Sequence, residues 1–296
     1  MNKASGITRR SLLKGASAAA ATGVLGTSVQ PAMSQSGGGR PRVLALIGDR
    51  YHNSDYIRVS LDPLFKELDL PVDYTTNYYD LSARLLQPYQ LFVAFRDNMI
   101  WPGGYLEPTS AEYARQLENR GDFPPEKPEY WITEEQGQAV KEFVQRGNGF
   151  YSMHNNAFVS RSSKNYREVQ GGCALSHPPL RPFKVKIANR NHPITEGVAD
   201  FMVTDEQHYL VYDKDPKDIL LHSENVDGLT FTPTLEDPEH PAPPKDLGTT
   251  TVSGWAFDYG KGRVVFTAIG HTIHAMWQPQ HARLQRNAVR WLLKMT

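Results

Sequence analysis

The chain has 296 residues, of which 40% are hydrophobic and 22% are charged, and its 32 basic side chains are matched by 32 acidic ones. This composition excludes a disordered or collagen-like chain and is typical of a globular protein. The length allows two domains, but a single α/β domain often reaches this size, and we expect one enlarged domain here.

Charge is distributed unevenly along the chain. Residues 1–36 contain four basic residues and no acidic one, so 28 basic residues face 32 acidic ones in the remainder, a net charge of about −4. No run of Lys or Arg occurs after residue 36. Because clustered cations drive binding to nucleic acid through counterion release, nucleic acid is not expected as a partner.

The first 36 residues have the features of a twin-arginine export signal. Arg9 and Arg10 precede a weakly apolar, Ala/Gly-rich stretch, and Ala32-Met33-Ser34 has the small-x-small form of a cleavage site. No run approaches the ~20 apolar residues of a membrane span. We therefore expect a periplasmic or secreted protein exported by the twin-arginine route, with a flexible linker over 37–41 and a folded domain over 42–296.

The first part of that domain alternates strands and helices. A buried apolar run over residues 42–49 predicts a strand that ends in Gly-Asp. Ser54 can cap the next helix, which Pro63 is expected to kink or split. Further strands are predicted over 72–76 and 91–95, with a short helix over 81–86. The β-α-β-α-β order indicates an α/β fold with a Rossmann-like, mostly parallel sheet flanked by helices.

The pattern changes after residue 96. Residues 97–131 are interrupted by prolines, and we interpret them as an insertion over one end of the sheet. Thr133 and Gln136 form a capping box for a helix that stops at Gly147. The later elements are a strand over 149–154, antiparallel additions over 183–187, 201–212 and 219–222, a surface loop over 226–245, a hairpin of 252–259 with 263–269, and a closing helix over 280–293.

Three histidines, His52, His154 and His271, each follow a predicted strand. The carboxyl ends of parallel strands form the ligand crevice of an α/β sheet, and histidine can act there as acid, base or metal ligand. His177 stands between a diglycine and a proline and could face the same crevice. A structural role stays open for each of the four, and is favoured for His192, His222, His240 and His281.

Glu206 and His208 occupy an extended segment whose alternation turns both side chains to one face. An unpaired buried carboxylate costs several kcal/mol, so an inward Glu206 requires a histidine, a metal or a substrate hydroxyl beside it. An exposed strand edge is the alternative. The candidate catalytic residues are therefore His52, His154, His177, Glu206 and His271, and whether they hold a divalent metal is left open.

Several other chemistries lack their motifs. The chain has no glycine-rich dinucleotide or phosphate loop, so no such cofactor is expected, and no His-Glu-x-x-His motif. The turn at His154 has the position of a nucleophile elbow but offers neither serine nor cysteine. The single cysteine, Cys173, excludes an intramolecular disulfide and has no basic residue nearer in sequence than His177. Nucleophilic acyl or amide transfer is therefore not expected.

Four stretches of the chain match one known family. They are Gly147–His154, Gly171–Pro178, His192–Thr195 with Asp205-Glu206 downstream, and Tyr259–Thr272. With them the chain resembles the trehalose-utilisation (ThuA-like) proteins, which share the class I glutamine amidotransferase-like α/β fold without its catalytic cysteine. The resemblance implies this fold over about residues 42–294, and it places His154, His177, Glu206 and His271 in the shared crevice.

The resemblance also implies a role in metabolism of trehalose and related disaccharides through 3-keto sugars, beside a sugar oxidoreductase. The leading hypothesis is a hydrolase, lyase or isomerase acting on a keto-glycoside, because a ketone acidifies the neighbouring C–H and one base and one acid then suffice. A divalent metal could steady the enediolate. The alternative is a non-catalytic carbohydrate-binding module, and glutamine amidotransferase activity ranks third. In the carbohydrate-binding module, the aromatic side chains that stack on the sugar would be Tyr51, Trp101, Trp255 and Trp277.

Overall fold

The structure is a computed structural model that describes residues 39–101, 128–242 and 245–295. The expected export signal over 1–36, the start of the linker and residues 102–127 of the expected insertion lie outside the described residues. None of the helices in the described ranges is both long and apolar enough to cross a membrane.

The first strand and helix largely follow their sequence patterns. Strand β1 (Val43–Ile47) consists of five apolar residues, all of them buried. Helix α1 (Ser54–Glu67) is capped by Asn53, whose side chain accepts the Asp55 N–H, so the prediction of Ser54 as the cap was wrong by one residue. The predicted split of the helix at Pro63 was also wrong. Pro63 lies on the exposed face of α1, and the buried face on both sides of it keeps the helix continuous.

The remaining elements follow in chain order. Up to the middle of the chain they are β2 (Val72–Thr75), α2 (Ala83–Leu86), β3 (Leu91–Phe95), β4 (Met99–Ile100), β5 (Glu129–Tyr130), α3 (Glu134–Gln145), β6 (Gly149–Met153) and α4 (Lys164–Gln170). Thereafter they are β7 (Gly172–Ser176), β8 (Arg181–Ile187), β9 (Phe201–Asp205), β10 (Tyr209–Tyr212), β11 (Ile219–Asn225), β12 (Thr250–Tyr259), β13 (Gly262–Thr267), α5 (Ile273–Met276) and α6 (Pro279–Leu292). The predicted capping box of Thr133 and Gln136 begins α3 and is confirmed.

Nine strands form the central sheet in the order β2-β1-β3-β6-β13-β12-β11-β8-β9. The pairs from β2 to β13 are parallel, and the pairs from β13 to β9 are antiparallel. The predicted α/β class, a parallel sheet with antiparallel additions, is confirmed. The carboxyl ends of β1, β3, β6 and β13 therefore meet at one edge.

The sheet is buried on both faces. Along β1, Val43, Ala45 and Ile47 pack into the core beneath α1 and α6, whereas Leu44 and Leu46 pack into the core on the side of α3. This double burial is why β1 reads as a continuous apolar run rather than as an alternating one.

The segment 201–212 is not one extended strand as predicted. β9 ends at Asp205, whose carboxylate accepts the backbone N–H groups of Gly270 and His271. Residues 206–208 then form no strand, and β10 leaves the central sheet to pair with β7, a strand that the sequence pattern did not indicate. Glu206 consequently lies in a break at the edge of the sheet.

Candidate active site

A cavity of about 340 Å³ opens at the carboxyl edge of the parallel strands. This volume lies within the range of small-molecule sites. We call it the histidine cavity. Its lining includes four of the five candidate residues, His52, His177, Glu206 and His271, together with Tyr51, Asp97 and Asn155.

Four histidine rings surround one carboxylate oxygen, Oε2 of Glu206. His271 Nδ1 lies 3.0 Å from it, His154 Nε2 lies 3.5 Å from it, and both His177 Nε2 and His208 Nε2 lie 3.6 Å from it. Burial opposes ionisation of Glu206, but the favourable interactions of its carboxylate with His154, His208 and His271 outweigh burial and lower the pKa of the carboxyl. Glu206 is therefore an anion held among imidazoles.

His154 occupies a strained position immediately after β6. Its φ angle is 51°, in the left-handed region that non-glycine residues seldom adopt and that is frequent at functional sites. Gly270 leaves room for this turn, since a Cβ at position 270 would come within 2.8 Å of the His154 Cβ. The position that carries the nucleophile in an elbow thus carries an imidazole here.

The hydrogen bonds of His154 determine which ring nitrogen faces Glu206. Its Nδ1–H donates to the Ala268 carbonyl at 2.7 Å, so the neutral ring turns its Nε2 lone pair toward the carboxylate. Burial alone would lower the pKa of His154, but the nearby Glu206 and Asp205 carboxylates raise it overall. The side chain is thereby suited to hold a positive charge beside Glu206.

His52 is oriented by Asp49. His52 Nδ1 lies 3.0 Å from Asp49 Oδ1, and Asp49 Oδ2 accepts hydrogen bonds from the Asn155 side chain and the Asp97 backbone N–H. Burial opposes ionisation of Asp49, yet its hydrogen bond and charge interaction with His52 help to lower the pKa to about 2. The opposite nitrogen, His52 Nε2, points to His271 Nδ1 at 3.1 Å. A histidine fixed by a carboxylate is the arrangement of many metal ligands and general bases.

The site can hold a metal ion. His52, His154, Glu206 and His271 each offer one ligand atom, and these atoms all lie within 4.8 Å of one another. His177, Glu206 and His208 form a second such group around the same carboxylate. Imidazole nitrogens with a carboxylate are the donor set that divalent transition metals take in proteins.

Two buried nitrogens support that fit. His154 Nε2 and His208 Nε2 make no hydrogen bond within the described part of the chain, and the two rings stack with centroids 4.3 Å apart. Buried polar atoms normally find partners, so two unpaired nitrogens beside one carboxylate indicate that a further group binds between them. A divalent metal, a proton or a substrate hydroxyl would meet this requirement.

All five sequence-predicted site residues thus lie together, and the structure adds others. Asp49, Asp97, Asn155 and His208 were not among the candidates. Asp49 and Asp97 come shortly after β1 and β3, and a position after a strand is the signal that selected His52. The predicted alternation that places His208 on the same face as Glu206 had already indicated His208.

Other sequence candidates lie away from this chemistry. Trp255 is fully buried and stacks on Phe266, so its expected role as a sugar platform was wrong. Among the four aromatic candidates, Tyr51 lines the histidine cavity.

Cys173 is buried, and burial raises the pKa of its thiol to about 12, which leaves it unreactive. His192 caps a turn by accepting the Ile194 N–H, as expected.

The fold and the site define an α/β protein whose parallel strands deliver a cluster of histidines around a carboxylate. The chain belongs to the ThuA family, described as trehalose utilisation, whose family model matches residues 122–292. The predicted resemblance is thereby confirmed, and membership indicates a sugar-related function. A comparison with curated protein sequences finds no match.

Two solved structures of ThuA-like proteins share the fold at low sequence identity, and a glutamine amidotransferase shows a weaker similarity. A ThuA-like protein from Bacteroides uniformis ATCC 8492 is 17% identical, with a TM-score of 0.55 over 89% of this chain and 95% of that chain. A ThuA-like protein from Parabacteroides merdae ATCC 43184 is 15% identical, with a TM-score of 0.52 over 86% of this chain and 90% of that chain. A glutamine amidotransferase from Thermotoga maritima is 14% identical, with a TM-score of 0.45 over 86% and 99% of the two chains.

Proposed function

We propose that this protein is an exported enzyme that processes a keto-glycoside or a trehalose-type disaccharide, as a hydrolase, lyase or isomerase. The observation that carries the proposal is the convergence of four histidine rings on Glu206 Oε2 beside a cavity of small-molecule size. Membership of a sugar-related family supports a carbohydrate as the ligand.

The side chains can move the protons that such a reaction needs. A ketone at C3 acidifies the hydrogen on C2, so an unprotonated base can take that proton. His177 lines the cavity, and burial lowers its pKa, which keeps the imidazole neutral and basic near pH 7. His154 Nε2 lies 3.5 Å from the Glu206 carboxylate, and this proximity raises the pKa of the imidazole and lowers the pKa of the carboxyl. Where two titratable groups have pKa values shifted in opposite directions, the group with the raised pKa usually acts as the acid and the group with the lowered pKa as the base.

A divalent metal would add one contribution. When bound, it would stabilise the negative charge that develops on the ketone oxygen. His52, His154, Glu206 and His271 would hold it, and His177 would remain available as the base.

Elimination provides a balanced form of the reaction. The base removes the C2 proton, the electrons of the C2–H bond form a C1=C2 double bond, and the C1–O glycosidic bond breaks. The leaving oxygen takes up a proton and departs as an alcohol. Addition of water at C1 would complete a net hydrolysis.

The proposal includes the cellular location and a pathway partner. Arg9 and Arg10 before a weakly apolar segment support export by the twin-arginine route to the periplasm or beyond. A sugar oxidoreductase must supply the 3-keto group, since the residues of this site offer acid, base and ligand chemistry rather than hydride transfer.

The test combines a metal analysis of the natively exported protein with a screen of 3-keto disaccharides. We expect the wild-type protein to consume at least one of these sugars and the Glu206→Gln variant to lose that activity. A matched control is His274→Ala, which removes an exposed histidine outside the histidine cavity. If the wild-type protein binds the sugars and releases them unchanged, it is a carbohydrate-binding module and the proposal fails.

A further inference from the structure

A second, smaller cavity of about 190 Å³ adjoins the histidine cavity. The two share one wall, formed by Asp97, Met99, Phe158 and Leu235. We call the smaller cavity the annex. The rest of its lining is polar or aromatic and consists of Asn98, Tyr130, Arg161 and Ser162.

Asn98 gives the annex an unmet hydrogen-bonding group. The side chain is 2% exposed, and its Nδ2 donates to Ser162 Oγ at 2.6 Å. Its Oδ1 makes no hydrogen bond within the described part of the chain. Exchanging the two ends of the amide would leave Nδ2 unpaired instead, so one buried polar atom is open in either assignment. A buried polar atom of this kind calls for a ligand hydroxyl or an ordered water.

Asp97 is the ionisable member of the shared wall, since its companions are Met99, Phe158 and Leu235. It is 4% exposed, and one carboxylate oxygen accepts the Asn98 backbone N–H at 2.5 Å. Burial and the negative charge of Asp49 raise the pKa of Asp97 to about 7, against the smaller opposing effects of backbone N–H groups and Arg96. His52 and His177 also line the histidine cavity. A carboxyl that is partly protonated near neutral pH therefore lies in the wall that the two cavities share.

We propose that the annex binds the leaving sugar ring of a two-ring keto-glycoside, and that Asp97 protonates the glycosidic oxygen between the rings. The keto ring then occupies the histidine cavity. This inference rests on the proposed function and assigns a position to the second sugar ring and a residue to the proton donor. The hydroxyl groups of the leaving ring would meet the open polar atom of Asn98.

The step balances with this residue as the acid. The C2 proton passes to the base, C1=C2 forms and C1–O breaks. The leaving oxygen takes the Asp97 proton and departs as a free sugar. Solvent then returns a proton to Asp97 and removes one from the base.

The first experiment tests the acid with two leaving groups. A 3-keto disaccharide needs its leaving oxygen protonated, whereas 4-nitrophenyl 3-keto-glucoside has a leaving group that departs as an anion. We expect Asp97→Asn to lower kcat on the disaccharide by about 10²-fold or more, to lose the alkaline limb of its pH profile, and to retain nitrophenyl cleavage within a few fold. An equal loss on both substrates, or no loss on either, would overturn the role of Asp97.

The second experiment tests the annex by KM. Tyr130 is 61% exposed, so Tyr130→Ala removes an annex wall at little risk to folding, and Asn98→Ala removes the open polar atom. We expect each variant to raise KM for the 3-keto disaccharide about tenfold and to leave KM for methyl 3-keto-glucoside unchanged, as loss of one binding contact predicts. Tyr79→Ala, at an exposed tyrosine outside both cavities, is the matched control. Equal changes for both substrates would exclude the annex as a second-ring site.

The outcomes separate the two proposals. A wild-type protein that consumes none of these keto sugars would refute the proposed function and this inference with it. A wild-type protein that consumes them, with variants that fail to distinguish one ring from two, would refute the annex proposal alone.

Discussion

His52 Nε2 lies 3.1 Å from His271 Nδ1, although the two residues are 219 positions apart in the chain. They meet because β1 and β13 both end at the same edge of the sheet, with β3 and β6 between them. His271 Nδ1 also lies 3.0 Å from Glu206 Oε2. His271 therefore connects His52, which Asp49 orients, to the carboxylate of Glu206.

Replacement of His154 should remove activity without unfolding the protein. Asparagine is among the few residues that tolerate the left-handed backbone at this position, so His154→Asn should fold normally. We expect its activity on a keto-sugar substrate to fall by about 10²-fold or more, the usual contribution of a general acid or base. Circular dichroism and steady-state kinetics check both parts, with His274→Ala as the control. Full activity in His154→Asn would remove this residue from the mechanism.

Chelation distinguishes a metal site from an acid and base pair. If a divalent metal is bound, EDTA should abolish activity, and metal added at 100 times its Kd should stabilise the fold by about 2.7 kcal/mol. That corresponds to a rise in Tm of roughly 5–10 °C for a domain of this size. Glu206→Gln should lose the rise, because it removes the carboxylate shared by the candidate ligands. Activity that survives chelation with a bell-shaped pH profile would instead establish the metal-free form.

The raised pKa of Asp97 predicts a pH-dependent difference in stability. The folded value of about 7 exceeds the unfolded value of about 3.9, so the folded state binds more protons between these limits and loses stability as pH rises through them. Asp97→Asn does not titrate. The free energy of unfolding of the variant, relative to that of the wild type, should therefore increase by on the order of 4 kcal/mol between about pH 4 and pH 7. Above pH 7 this difference should stay constant. Urea denaturation across this range measures the difference.

The exposed Asp80 supplies the comparison for that experiment. Asp80→Asn should show no comparable divergence from the wild type between pH 4 and pH 7. A flat difference for Asp97→Asn as well would show that Asp97 ionises normally in the folded protein.

Export should depend on the paired arginines. Replacing Arg9 and Arg10 with lysine should leave the full-length protein in the cytoplasm, because the weakly apolar segment behind them suits the twin-arginine route better than the general secretory route. Cell fractionation followed by immunoblotting gives the distribution. Normal amounts of the lysine variant in the periplasm would contradict the expected route.

Local sequence patterns were sufficient for the parallel strands of the central sheet and for the core of the site. The five apolar residues of β1 predicted a buried strand because both faces of the sheet are covered. His52, His154 and His271 could be selected because each follows a strand, and parallel strands end at one edge. His177 was selected by its position between a diglycine and a proline and Glu206 by the alternation of its segment, and the family resemblance implied the same crevice for both.

Only the tertiary structure decided what depends on atoms far apart in the chain. Trp255 is of the residue type that stacks on sugars, but its ring is buried and stacks on Phe266. β9 and β10 separate because Asp205 accepts N–H groups from residues 270 and 271, which no local period encodes. Asp97 follows a parallel strand, but its position does not predict its raised pKa, which arises from burial and from Asp49, 48 positions away. Periodicity reports which face of an element is buried, whereas strand order and loop contacts determine which charges become neighbours.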